Sequence, residues 1–222
     1  MIEVGPGPGG LTRALLDSAA ISVTAIEVDD RSVAIMHELA ETADGRLRTI
    51  AGDALRMDMT SLVPAPRHIV ANLPYNIASP LLVGWLRQGS AWERLTLMFQ
   101  QEVAERICAA PNTSAYGRLS VLAQWVADVD IMVRLPPDAF VPPPKVWSAV
   151  VGFAPHAEQP SAALFAQMER LTAAAFGQRR KMLRGSLKPL GGEALLDRAE
   201  IAADRRAETL SVVEFDRLVR LL

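Results

Sequence analysis

With 222 residues, half of them hydrophobic and 22% charged, the chain has globular composition, which excludes a disordered protein. Its length suits one large domain, or a medium domain with a small one, and its net charge of −2 excludes a uniformly basic polyanion binder. The single Cys108 excludes an internal disulfide and points to a reducing compartment. No apolar run is long enough to span a bilayer, and the N-terminus has no basic-then-apolar leader pattern, so a cytoplasmic protein is expected. His37, His68 and His156 are scattered, and nothing has metal-ligand spacing, so no metal is expected.

Through Leu135, short apolar runs alternate with longer helical patterns. MIEVG, SVTAIEV, RLRTIAG, HIVANL and RLTLMFQ read as strands rich in Val, Ile and Leu. Between them LTRALLDSA, DRSVAIMHELAET, SPLLVGWLRQ and EVAERICAA carry apolar residues at helical spacing. Such alternation predicts an α/β fold, a parallel sheet covered on both faces. DVDIMVRLP and VWSAVVGFAP then flank PPDAFVPPPK and read as an antiparallel pair joined by a stiff loop. After Pro155 no strand pattern remains: LFAQMERLTAAAFGQ, RRKMLRGSLKPL and the last dozen residues read as helices. Ser211 and Glu214 have capping-box spacing for the last of them. The boundary falls near 155–160, giving an α/β domain over 1–155 and a small all-α domain over 156–222.

Gly5, Gly7 and Gly10 follow a strand and precede a helix, the context that G-x-G-x-x-G requires. Glycines there permit a tight turn and let a ligand approach backbone N–H groups. Glu27 ends the second strand about 20 residues on, where a carboxylate can bind ribose hydroxyls. A nucleoside-containing cofactor is expected, and the motif alone leaves nicotinamide dinucleotides and S-adenosylmethionine both open. The third strand ends in Gly52-Asp53-Ala54, where Asp53 could take a hydrogen bond from an adenine amino group or cap a helix. The fourth ends in Asn72-Leu73-Pro74-Tyr75. Two acceptors, the Asn72 side-chain oxygen and the Leu73 carbonyl held by Pro74, can orient the lone pair of a planar exocyclic amine. Tyr75 can stack on a base taken out of its helix; a turn with a packed tyrosine is the other reading. Residues 176–190 contain Arg179, Arg180, Lys181, Arg184 and Lys188 and no acid, which suits phosphate contacts or a solvated helix face.

In their order and spacing, EVGPGPGGLT, IEVD, GDAL, ANLPYNIASPLL, FQQEVAERI, YGRLSVLAQ, FVPPPKVWSAVV, FGQRRKMLRGSL and ETLSVVEF resemble the ribosomal RNA adenine dimethyltransferases that modify small-subunit RNA. The resemblance implies a Rossmann-like class I methyltransferase sheet with antiparallel terminal strands. It implies that Gly5, Gly7 and Glu27 bind S-adenosylmethionine, that Asp53 holds its adenine, and that Glu3, Ala54 and Asn72 complete the cofactor site. Asn72, Leu73, Pro74 and Tyr75 would position the target N6 amine. Phe140 would close on the flipped base opposite Tyr75, or else plug the space between strands. The product would be S-adenosylhomocysteine, with no metal and no dedicated general base.

The implied partner is small-subunit ribosomal RNA in a 30S-type precursor particle, contacted through Arg179, Arg180, Lys181, Arg184 and Lys188 by a monomeric enzyme of ribosome biogenesis. The family also carries a segment ahead of EVGPG, so a shortened chain or a start codon assigned too late is expected. Three alternatives remain: a large-subunit adenine dimethyltransferase of the antibiotic-resistance type, a non-catalytic RNA-binding assembly or transcription factor on the same fold, and a nicotinamide enzyme. The tail and the FVPPPKV loop favour the small-subunit class over the first. Intact Glu27, Asp53 and NLPY speak against the second, and NLPY against the third.

Overall fold

The computed structural model describes residues 1–178 and 181–222; the side chains of Tyr75 and Asn76 also lie outside the description. Seven strands form one sheet: β1 (Ile2–Val4), β2 (Val23–Glu27), β3 (Leu47–Ala51), β4 (His68–Asn72), β5 (Arg94–Gln100), β6 (Ala127–Leu135) and β7 (Ser148–Pro155). Their order is β3-β2-β1-β4-β5-β7-β6. The first five are mutually parallel, and β7 runs antiparallel between β5 and β6. The parallel sheet and the terminal antiparallel pair are as the sequence predicts. Placement of β7 inside β6 is a non-local choice that no local pattern encodes.

The helices are α1 (Gly10–Leu16), α2 (Asp30–Glu41), α3 (Tyr75–Gln88), α4 (Gln101–Ile107), α5 (Arg118–Val126), α6 (Ala162–Phe176), α7 (Leu183–Ser186), α8 (Gly192–Arg198) and α9 (Val212–Val219). Alternation along each strand decides what they cover. One sheet face carries Ile2, Val4, Ile69, Leu95, Leu97, Val151 and Phe153, all buried in one cluster with residues of α3, α4 and α5. On the other face, Val23, Ala25 and Leu47 pack with Met36 of α2 and Leu15 and Leu16 of α1. The larger cluster continues into Phe165, Met168 and Leu171 of α6 and Phe215 and Leu218 of α9, so the helical region shares its core with the sheet. Burying that many large side chains, at about 1.5–3 kcal/mol each, holds the two regions together.

Several sequence boundaries move. Helix α3 starts at Tyr75, a turn earlier than SPLL suggests, and keeps Pro80 in its interior; proline prefers a first turn, which drew the expected start too late. RRKMLRGSLKPL is not one helix: within its described part α7 covers only Leu183–Ser186, and a 3-10 turn follows at Lys188–Leu190. Pro189, lacking an N–H, stops propagation there. Helices α5 and α8 are additions to the sequence reading. Among the described residues no helix is long and apolar enough to cross a membrane.

Candidate active site

The turn after β1 begins the site. Gly5 and Gly7 have φ of 70° and 53°, the left-handed region where a side chain is strained; a Cβ on either would otherwise meet open space. The conformation, not crowding, therefore demands glycine. Gly5 N–H donates to the Ile26 carbonyl at 2.9 Å, tying the turn to β2. At the end of β2, Glu27 is 8% exposed. Its Oε1 accepts from the N–H groups of Val28 and Asp29 at 2.7 and 3.0 Å, and its Oε2 from Gly7 N–H at 3.1 Å.

Beyond β3, Asp53 Oδ1 accepts from Leu55 N–H at 2.9 Å, and its Oδ2 lies 3.5 Å from Arg56 Nε. The Leu55 bond shapes the turn in the manner of an Asx-turn, and the Asp53 side chain stays 43% exposed beside Arg56. Asn72 ends β4, paired by register with Met98 of β5, and its side chain is exposed. Leu73 buries its side chain to 2% exposure, anchoring the peptide before Pro74, which leads into α3.

These segments enclose one cavity of about 370 Å³. Gly5, Gly7, Glu27, Asp53, Ala54, Asn72, Leu73 and Pro74 line it, together with Val4, Ile26, Val28, Gly52 and Ile77. The apolar members escaped the sequence reading, although Val4, Ile26 and Val28 flank strand ends where a crevice is expected. A larger groove of about 740 Å³ runs along α3 past Met57, Pro80, Gly84 and Arg118 and shares Ala54 with the first. It contains neither the glycine turn nor Glu27 nor Asn72, so the smaller cavity is where convergent donors and acceptors point to chemistry.

Glu3 does not line the cavity. It is 1% exposed, with neither carboxylate oxygen in a hydrogen bond. Burial, chiefly, raises its pKa above the ordinary carboxylate value; the Glu27 charge adds to this, and the neighbouring Thr12 hydroxyl offsets only part, being turned to Met36 Sδ at 3.8 Å. Phe140 is half-buried in the loop before β7 and is not part of the cavity lining. Lys181, Arg184 and Lys188 are exposed. Arg179, Arg180 and the Tyr75 side chain lie outside the described residues. Among the described residues no group of three or more His, Cys, Asp or Glu could hold a metal ion.

Residues 1–222 match the family model of the ribosomal RNA adenine dimethylases. The chain belongs to that family. The resemblance read from the sequence motifs is thereby borne out, and the nicotinamide reading falls. Within the wider set of similar proteins, ribosomal RNA small subunit methyltransferase A of Gluconobacter oxydans (strain 621H) is 64% identical over 221 residues, covering 100% of this chain and 73% of that protein. A dimethyladenosine transferase from Plasmodium falciparum shares the fold with a TM-score of 0.79 at 25% identity, over 98% of this chain and 87% of that one. The 23S rRNA methyltransferase ErmE gives a TM-score of 0.69 at 27% identity, over 100% of this chain and 89% of that one.

Proposed function

We propose that this protein is an S-adenosylmethionine-dependent methyltransferase that dimethylates N6 of two adjacent adenosines near the 3′ end of small-subunit ribosomal RNA, during assembly of a 30S-type particle. The observation that carries the reading is the convergence of Gly5, Gly7, Glu27, Asp53 and Asn72–Pro74 on a single cavity. Family membership supplies the reaction class, and 64% identity to a small-subunit enzyme, against 27% to a large-subunit one, favours the small-subunit substrate.

Each lining group has a role that its geometry allows. Glu27 faces ribose hydroxyls, and Asp53 Oδ2 takes an adenine amino hydrogen. The apolar walls at Val4, Ile26 and Ile77 exclude water from the methyl-transfer path. S-adenosylmethionine supplies a sulfonium methyl already activated for displacement, leaving as S-adenosylhomocysteine. The chain's contribution is then positioning, which suffices for much of the rate. The Asn72 side-chain oxygen and the Leu73 carbonyl accept the two N6 hydrogens and hold the lone pair toward the methyl. Accepting both hydrogens also pyramidalises the nitrogen. Among the described residues no His or Cys lines the cavity, and the proton lost from N6 passes to solvent. In this reading Tyr75 and Phe140 clamp the flipped base. Residues 1–155 carry the chemistry, while 156–222 hold RNA through the basic run, and the enzyme acts as a cytoplasmic monomer.

The test is methyl transfer to unmethylated small-subunit particles and to large-subunit RNA, read by primer extension and by mass of nuclease fragments. Two dimethylated neighbouring adenosines on the small-subunit RNA are expected. Modification of the large-subunit RNA alone would overturn the substrate, and failure to bind S-adenosylmethionine in a titration would reassign the chain to a non-catalytic RNA-binding role.

A further inference from the structure

The loop entering β7 presents an aromatic ring that the cavity does not use. Trp147, one residue before β7, is 48% exposed, whereas Trp85 and Trp92 are 3% and 2% exposed. Its backbone is fixed: Gln101 N–H at the start of α4 donates to the Trp147 carbonyl at 2.9 Å. A large apolar ring half in water on an anchored backbone forgoes the burial that usually places tryptophan inside.

Sheet register shows what it stands beside. Asn72 pairs with Met98, and Met98 with Val150. Because β7 runs antiparallel to β5, its start projects past the carboxyl ends of the parallel strands, the edge that holds the cavity. Strand spacing and rise place Trp147 roughly 10 Å across from Asn72 and roughly 10 Å further out. Lys145 is exposed two residues earlier, and Arg134, opposite Ala149 in the ladder, is exposed on β6. Neither has an ion-pair partner among the described residues. The carboxylates of α4 are engaged within their own helix, Glu102 with Arg106 and Glu105 with Gln101, which leaves Asp138 as the acid of the loop.

An exposed ring with two nearby cations that have no ion-pair partner among the described residues, on the edge where the target base must enter, matches the way single-stranded nucleic acid is held: bases stack on aromatics while cations track the backbone. We infer that Trp147 is a stacking platform for an unpaired nucleotide flanking the adenosine being methylated, with Lys145 and Arg134 on the adjoining phosphates. This rests on the RNA methylation proposed above. The contact is a substrate-positioning one, so its loss falls on RNA binding and not on the cofactor.

The experiment compares wild type with Trp147→Ala, Trp147→Phe and Lys145→Ala. Methylation kinetics are measured on unmethylated small-subunit RNA, and acrylamide quenching of tryptophan fluorescence is measured with and without that RNA. Trp147→Ala should raise KM for RNA roughly 5- to 150-fold, with kcat within about twofold and S-adenosylmethionine affinity unchanged. Phenylalanine should restore most of the loss, and Lys145→Ala should lower the salt dependence of RNA binding. RNA should shield the most quenchable tryptophan in wild type and shield none in Trp147→Phe. An unchanged KM in a folded Trp147→Ala protein overturns the inference, as does quenching indifferent to RNA. So does equal affinity for naked RNA joined to weaker binding of the whole particle, which would assign the ring to a protein contact. Quenching needs no turnover; a wild type that shields Trp147 but methylates no RNA would refute the proposed reaction while leaving the platform standing.

Discussion

Gly7 donates its backbone N–H to Glu27 Oε2 across the cavity at 3.1 Å, so the turn after β1 and the acid after β2 hold each other in place. With Val28 and Asp29 also donating to Oε1, three of the carboxylate's roughly four acceptor sites are occupied. One remains, on Oε2, for a ribose hydroxyl. Glu27→Gln should therefore be poorly tolerated, because an amide turns one acceptor into a donor facing a backbone N–H. Hydrogen bonds to charged groups are worth about 1.5–3 kcal/mol, so affinity for S-adenosylmethionine should fall about 10- to 150-fold by isothermal titration. A variant that binds as tightly as wild type would remove Glu27 from the site.

Asn72 separates chemistry from folding. Its backbone belongs to the β4–β5 ladder through Met98, while its side chain is exposed beside the cavity. Asn72→Ala should leave Tm within about 2 °C of wild type, the range of a surface change. Methyl transfer at saturating S-adenosylmethionine should drop roughly 100-fold, the scale for one preorganised polar contact. A folded variant that retains most of the rate would show that the Leu73 carbonyl alone orients the amine.

Glu3 supplies a pH signature. Its folded pKa is raised by burial, so between the unfolded value and the folded one the native state binds more protons than the unfolded state. Stability then falls as pH rises through that window. Glu3→Gln, which is neutral throughout, should lack this loss. Its Tm advantage over wild type should be small near pH 4.5 and grow toward neutral pH, in thermal scans across that range. A pH-independent difference would mean that the carboxyl is not the cause.

Much of this was legible because parallel strands buried on both faces are written as near-continuous Val, Ile and Leu runs. The cavity set Gly5, Glu27, Asp53 and Asn72 followed, since each sits at or just beyond a strand's carboxyl end. Glu3 shows where that reasoning stops: it shares its sheet face with Ala25 and Glu27 but lies two residues short of the glycine turn, where it is buried outside the lining, and the motif carries no sign of that depth. Helix α5 runs into β6 at Val126–Ala127 without a loop, so no turn residue marks the change. The Ser211 and Glu214 capping box was legible and forms, with Glu214 N–H to Ser211 Oγ at 3.2 Å, because a cap is purely local.

Glu169 of α6 ties the helical region to the sheet layer. Arg87 of α3 reaches it at 2.9 Å and Arg118 of α5 at 3.6 Å. Both arginines are about half exposed and Glu169 is 17% exposed, so solvent screening limits the pair of contacts to about 1 kcal/mol. Glu169→Ala should lower Tm by about 2–4 °C, and the difference should shrink in high salt. A salt-independent loss would assign the effect to packing.

The basic run after α6 is tested most directly through salt. Lys181 precedes α7, Arg184 lies within it and Lys188 opens the 3-10 turn, so the three side chains do not share one continuous helix face. All are exposed, and none has an ion-pair partner among the described residues. A cation that neutralises a phosphate releases a counterion, and each such contact steepens the fall of affinity with salt by about 0.7–0.9 in the log–log slope. Changing Lys181, Arg184 and Lys188 together to Gln should therefore flatten that slope by roughly 2 and weaken binding across RNA sequences alike, because phosphate contacts carry no sequence information. Their exposure makes the fold indifferent to the change, so Tm serves as the control. An unchanged slope in a protein of unchanged Tm would leave these three cations as a solvated surface and move RNA recognition elsewhere on the molecule.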